Sequence, residues 1–176
     1  MRTQNIKNKK PSIYLIGISH EAQFKKDLPL KSVFRNYLEK TIKIIKPDLI
    51  AEEFSEEALQ INKVNNTIAQ KVAEQNSILH IFCDPDSEVR KKIGYPSRMD
   101  IKKQLGIKKA VFEDSPEDKQ IKEEMKKYNY IREQFWLNEI LRFPSKTILF
   151  ICGSDHLKTF HALVFRKGFI PVIFPS

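Results

Sequence analysis

Two histidines in this sequence are introduced in the same way. Each follows a short apolar run and a glycine: Gly17-Ile18-Ser19-His20 after SIYLIGI, and Gly153-Ser154-Asp155-His156 after TILFIC. Imidazole exchanges its proton near neutral pH and is a common metal ligand, so such a pair can supply a general base, a donor to a developing oxyanion, or two metal ligands. The glycine is expected to let the chain turn sharply off the preceding run and approach a ligand closely. A third apolar run, DLIAEEF, ends in Glu52-Glu53. Side chains alternate along a strand, so only one of these carboxylates can readily face a site shared with the histidines. A fourth run, ILHIFC, leads into Asp84-Pro85-Asp86, which reads first as a turn and second as support for the site, with Arg90 one turn further on. Carboxylates buried at such places are costly unless used or paired.

The elements that must present these residues are legible as a pattern. The almost continuous apolar runs are those of strands buried on both faces, as in parallel sheets. Between the first two, a polar loop containing Pro29 leads to a helix over 31–46, ended by Pro47. Ser55 caps a second helix whose inner face carries Ile61, Val64, Ile68 and Val72. Residues 84–114 break the alternation with two short helical pieces around Val89 and Ile101, punctuated by Gly94, Pro96 and Gly106. One long helix then runs from a Ser115 cap, with Pro116 at its first position, to about Phe143. A last helix stops at Gly168, and Phe169 to Phe174 closes the chain as a strand that Pro171 places at a sheet edge. The expected fold is α/β, a mainly parallel central sheet of about five strands with helices on both faces and a small helical insertion. Residues 1–11 form a basic tail and 12–176 one α/β domain, with 84–143 as the helical insertion or cover. In an open parallel sheet, ligands bind beyond the carboxyl ends of the strands, where the candidate residues gather.

On the long helix, Tyr128, Ile131, Phe135, Trp136 and Ile140 form a packing stripe flanked by Arg132 and Glu133. That pair is either a surface ion pair of little worth or places Arg132 at the strand ends, gripping a substrate carboxylate or phosphate. His80, inside a strand, and His161, on a helix, read as structural. Ser154, Asp155 and His156 are adjacent in sequence and therefore not a triad, whose members converge in space. Cys83 and Cys152 lie in apolar runs and read as buried thiols of a reducing compartment.

Composition narrows the class. Hydrophobic residues make up 41% and charged residues 30%, ordinary for a folded protein. No apolar run approaches the roughly 20 residues that span a bilayer, and Met1 to Lys10 carries no signal-peptide pattern, so the cytoplasm is the expected compartment and no membrane partner is expected. The 31 Lys and Arg against 22 Asp and Glu give a net charge of +9. That excess favours anionic partners, but it is dispersed, and no basic stripe with interleaved aromatics marks a nucleic-acid binder. Nucleic acid is a disfavoured partner, and the oligomeric state is open.

The segments GISH, IAEEF, YIREQFW and GSDH, in this order, resemble the superfamily of TraB, Tiki, ChaN and erythromycin-esterase-like proteins, across most of the chain from residue 12 to 168. Its members carry paired GxxH motifs, a glutamate ending the second strand, and an arginine on a helix before the last motif. The resemblance implies that Glu53 rather than Glu52 is the motif glutamate and that Arg132 is the helical arginine. The chain is short for the superfamily and its helical part reduced, so no particular substrate is implied. The candidate catalytic residues are His20, Glu53, Arg132 and His156, with Glu52, Asp84 and Glu133 as candidate substrate contacts. Two hydrolytic mechanisms are open. In one, His20, Glu53 and His156 hold a divalent metal (Mn, Zn or Fe) that activates water. In the other, a histidine oriented by Glu53 deprotonates water directly while Arg132 and the second histidine stabilise the oxyanion. The expected substrate is an anionic small molecule or peptide. The rival reading is a binding protein without turnover for a metal, a haem-like group or another anionic ligand, nucleic acid included.

Overall fold

The computed structural model describes residues 10–19 and 28–174. His20, and residues 1–9 of the basic tail, lie outside the described residues. The strands are β1 (Ser12–Ile18), β2 (Leu49–Glu52), β3 (Leu79–Phe82), β4 (Thr147–Gly153) and β5 (Ile170–Ile173). They form one parallel sheet in the order β3-β2-β4-β1-β5. The α/β architecture is therefore the expected one. β1 and β4 pair residue for residue from Ser12 opposite Thr147 to Ile18 opposite Gly153, so the glycines of the two motifs lie one register position apart at the ends of neighbouring strands. β5 pairs only with β1, with Pro171 opposite Ile13, an edge position that tolerates a residue without an N–H.

The strand order explains the layers. After β1 and β2 the chain moves toward the β3 edge, through α1 (Leu28–Ile45) and then α2 (Glu56–Asn62) and α3 (Ile68–Gln75). After β3 and β4 it moves back toward β5, through α4 (Ser87–Ile93), α5 (Arg98–Gln104), α6 (Pro116–Lys126) and α7 (Asn129–Leu141), and then α8 (Leu157–Arg166). Crossovers of one hand that run in opposite directions fall on opposite faces of a sheet. Accordingly α1 and α3 cover one face, where Phe34, Leu38, Ile42, Ala69, Val72 and Ala73 meet Ile16, Ile50, Leu149 and Ile151. α7 and α8 cover the other, where Trp136, Leu137, Ile140, Phe160 and Leu163 meet Ile13, Leu15, Ala51, Phe150 and Cys152. Because β4 exits in the direction opposite to both its neighbours, the carboxyl ends of β2, β4 and β1 open a crevice of the kind that holds ligands.

Three local expectations are corrected. Pro29 lies in the first turn of α1 rather than in a loop, a position where its missing N–H has no helical partner to lose. The helix expected across Ile61 to Val72 is two helices. Lys63 adopts a left-handed conformation and Thr67 starts α3 by accepting from the Gln70 N–H, which turns Ile61 out to solvent. The helix expected from Ser115 to Phe143 breaks at Lys127-Tyr128, because its halves bury different faces: α6 buries Ile121 beside α5, and α7 buries its Trp136 stripe on the sheet. Among the described residues, no helix is long and apolar enough to cross a membrane.

Candidate active site at the strand ends

Glu53 is the first residue beyond β2, and its alternation with Glu52 puts it on the α7 side of the sheet. Its carboxylate is buried and doubly engaged. Oε2 accepts the Gly153 N–H at 2.7 Å, tying β2 to the turn that carries His156. Oε1 lies 2.8 Å from Arg132 Nη1. Arg132 also donates from Nε to Asp84 Oδ1 at 2.6 Å, so one guanidinium joins the ends of β2 and β3. Asp84 further accepts from Trp136 Nε1 at 2.9 Å and from Arg90 Nη2 at 2.7 Å. Burial works to raise the Asp84 pKa, but the charge and hydrogen bond of Arg132, with Arg90, outweigh it and hold the carboxyl below its ordinary value. Burial likewise opposes the Arg132 charge, and Glu53 and Asp84 more than restore it, pushing its pKa above the ordinary arginine value. The Arg132 group stacks 4.9 Å from the Trp136 ring centroid and 5.7 Å from that of Tyr95, whose other neighbour is Arg90 at 5.5 Å.

His156 sits in a 3₁₀ turn (Ser154–His156) between β4 and α8, buried against Trp136 with ring centroids 4.8 Å apart. Its Nδ1 lies 3.0 Å from Glu133 Oε1, which also accepts the Thr159 hydroxyl at 2.5 Å. A carboxylate can only accept, so Nδ1 carries the proton and the neutral ring keeps its lone pair on Nε2. That atom is 3.9 Å from Glu53 Oε1, beyond hydrogen-bond range. The surface pairing of Arg132 with Glu133 does not occur. The two neighbours serve different partners, and Glu133 is buried because it shares the α7 packing face with Trp136, Leu137 and Ile140. Arg132 is at the strand ends, with Nε and one N–H of Nη1 committed to Asp84 and Glu53, which leaves the second N–H of Nη1 and both of Nη2 without a carboxylate among the described residues.

Glu52 stands apart from this group. Its carboxylate lies on the opposite face, accepting the Thr67 hydroxyl at 2.6 Å and lying 3.1 Å from His80 Nε2. His80 is thus a structural partner, and Thr67 both caps α3 and anchors it to β2. Gly17 is needed for space rather than for an unusual turn. Neither motif glycine has positive φ, and a Cβ on Gly17 would stand 2.7 Å from Leu157 Cγ and 3.1 Å from Ser154 Cα, where the second motif folds over β1. Cys83 and Cys152 are buried free thiols, both pushed well up by burial first and then by nearby carboxylates, which suits packing and not nucleophilic attack.

A cavity of about 930 Å³ opens over Arg132, Glu133 and His156, walled by α6, α8 and Tyr95. The sequence reading had no account of Tyr95, Thr159 or the indole N–H of Trp136. Only one signal was available for Glu133: its spacing of three, four and seven residues from Trp136, Leu137 and Ile140 puts it on a buried face. Comparison with family models, curated proteins and solved structures finds no match for this chain. The metal reading meets a conflict in the donors that are described. His156 Nε2 and Glu53 Oε1 face each other and Glu133 orients the imidazole as ligand histidines require. Yet both Glu53 oxygens are already taken, Oε1 by a cation, and no group of three His, Cys, Asp or Glu among the described residues is arranged to hold a metal ion. These residues do not by themselves fit a metal.

Proposed function

We propose that this chain is a hydrolase of the TraB/Tiki/erythromycin-esterase-like type, acting in the cytoplasm on a small anionic substrate, with His156 as the base that activates water. The observation that carries the reading is the hydrogen bond from His156 Nδ1 to the buried Glu133 carboxylate. It fixes ring and tautomer and leaves Nε2 free to take a proton, as the acidic partner of a catalytic histidine does. A water oxygen about 2.8 Å from both Nε2 and Glu53 Oε1 spans their separation within ordinary hydrogen-bond lengths. Attack by that water transfers its proton to Nε2, and the imidazolium formed lies between two carboxylates. The proton then passes to the leaving group, so water contributes hydroxyl to one product and hydrogen to the other. Arg132, held rigid by Glu53 and Asp84, offers Nη2 to the developing oxyanion. His20 is the second candidate donor by the resemblance of its motif.

The test is a panel of aryl carboxylic esters, lactones, aryl amides and aryl phosphomonoesters, assayed with and without chelator on wild type, His156→Ala, His20→Ala and Glu133→Gln. One class is expected to turn over. Its rate should fall by roughly 10²–10⁴ in His156→Ala with the fold intact, and substantially in Glu133→Gln. Turnover that survives His156→Ala and His20→Ala overturns the reading. Loss on chelation, with bound metal that disappears in the histidine variants, moves the mechanism to the metal-assisted form. Ligand binding at this site without turnover of any class favours the non-catalytic alternative.

A further inference from the structure

The wall of the cavity over His156 is uneven in charge. Lys119, Lys122 and Lys126 recur along one face of α6, and Lys158 and Arg166 along one face of α8, all lining the same space. Of the acidic lining, Glu123 holds Lys126 at 2.5 Å and Glu133 holds His156, while Asp155 has no ion pair among the described residues and offsets one of the cations. Lys122 is held by Asp118 at 2.8 Å. Lys119, Lys158 and Arg166 have no carboxylate within ion-pair distance among the described residues; the same holds for Lys40, Lys43 and Lys71 elsewhere on the surface, and what distinguishes these three is that they line one cavity. Three cations without an ion pair among the described residues, on two helices, therefore face one concavity, where walls of low dielectric strengthen their common field. Along α8, Lys158 and Arg166 stand eight residue steps apart, about 12 Å, a length that a single monoanion does not cover. Tyr130, also in the lining and half exposed, offers a ring face to a planar group.

Resting on the hydrolytic reading of the site, we infer that its substrate is a small polyphosphorylated molecule. The phosphates lie along Lys119, Lys158 and Arg166, with the bond to be hydrolysed beside His156. A cavity of this volume is that of a single-ligand pocket, not of a groove tracking a nucleic-acid strand.

The test is calorimetric titration with inorganic tripolyphosphate and with ATP, and with benzoate and a short single-stranded oligonucleotide as comparisons. Each is titrated into wild type, the triple variant Lys119→Gln, Lys158→Gln, Arg166→Gln, and a charge-matched triple on the far face, Lys40→Gln, Lys43→Gln, Lys71→Gln. Removing one such contact is expected to weaken polyanion binding about fivefold, the worth of one exposed charge pair in water, and all three about a hundredfold. Wild type and the far-face triple should bind tripolyphosphate alike, and benzoate weakly or not at all. ATP binding tighter than tripolyphosphate assigns the Tyr130 side to a nucleoside, and equal binding makes the phosphates the whole determinant. The inference is overturned by absence of tripolyphosphate binding, by equal losses in both triples, or by tighter binding of the oligonucleotide. The two readings fail separately: tripolyphosphate binding that is lost with the lining charges while no substrate class turns over leaves this inference standing without the hydrolytic reading, and turnover without tripolyphosphate binding does the reverse.

Discussion

Asp84→Asn probes the ion-pair network directly. Asp84 receives Arg132, Arg90 and Trp136, and its carboxylate is 7% exposed. Asparagine keeps Oδ1 as acceptor for Arg132 and the indole but sets an amide N–H₂ against Arg90 Nη2, donor facing donor. It also leaves Arg132, 15% exposed, with Glu53 alone as its counter-charge among the described residues. Breaking a buried pair costs about 3–5 kcal/mol. Because Glu53 remains and Arg90 can turn to water, a loss of about 3 kcal/mol is expected. At this chain length that is a drop in Tm of roughly 6–12 °C, and in urea a lower midpoint with an unchanged slope. The pH dependence is a second reading of the same network. The folded Asp84 pKa is depressed, so its contribution is present in full above the unfolded value of about 3.9 and is lost as pH falls through the folded value. The gap between wild type and variant should therefore be widest near neutral pH and close at low pH. A Tm within about 2 °C of wild type at pH 7, or a gap that stays constant down to pH 3, would refute the network as the support of Arg132.

Two further outcomes follow from packing. Gly17→Ala forces a methyl group into Leu157 and toward the Ser154 backbone. A loss of about 1–3 kcal/mol is expected, and Leu157→Ala in the same chain should recover part of it in a double-mutant cycle, whereas strict additivity would show that the two residues do not collide. Cys83 and Cys152 are buried with raised pKa values. With a colorimetric disulfide reagent at pH 8, both thiols should react only as fast as the fold opens and appear together in denaturant. Rapid labelling of either in the native state would contradict their packing role.

Much of the frame was legible because it is local. Continuous apolar runs marked the five strands, Ser55, Ser115 and Pro116 marked helix starts, and Pro171 marked the edge. Alternation alone separated Glu52 from Glu53, since a strand turns each successive side chain to the opposite face. What stayed hidden depends on strand order. Arg132 passes over its neighbour Glu133 for Asp84, 48 residues away, because β3 and β2 end beside each other under α7. The helix breaks were hidden for a related reason: apolar spacing continues across Lys63 and Tyr128, and only the packing partner on each side decides where a face must turn. The glycine of the first motif also needed the fold to explain it, because its neighbour Leu157 arrives from the far end of the chain. Periodicity records which side of one element is apolar. Which carboxylate meets which cation is decided only when crossovers bring distant strand ends to one rim, where a buried charge must find its partner.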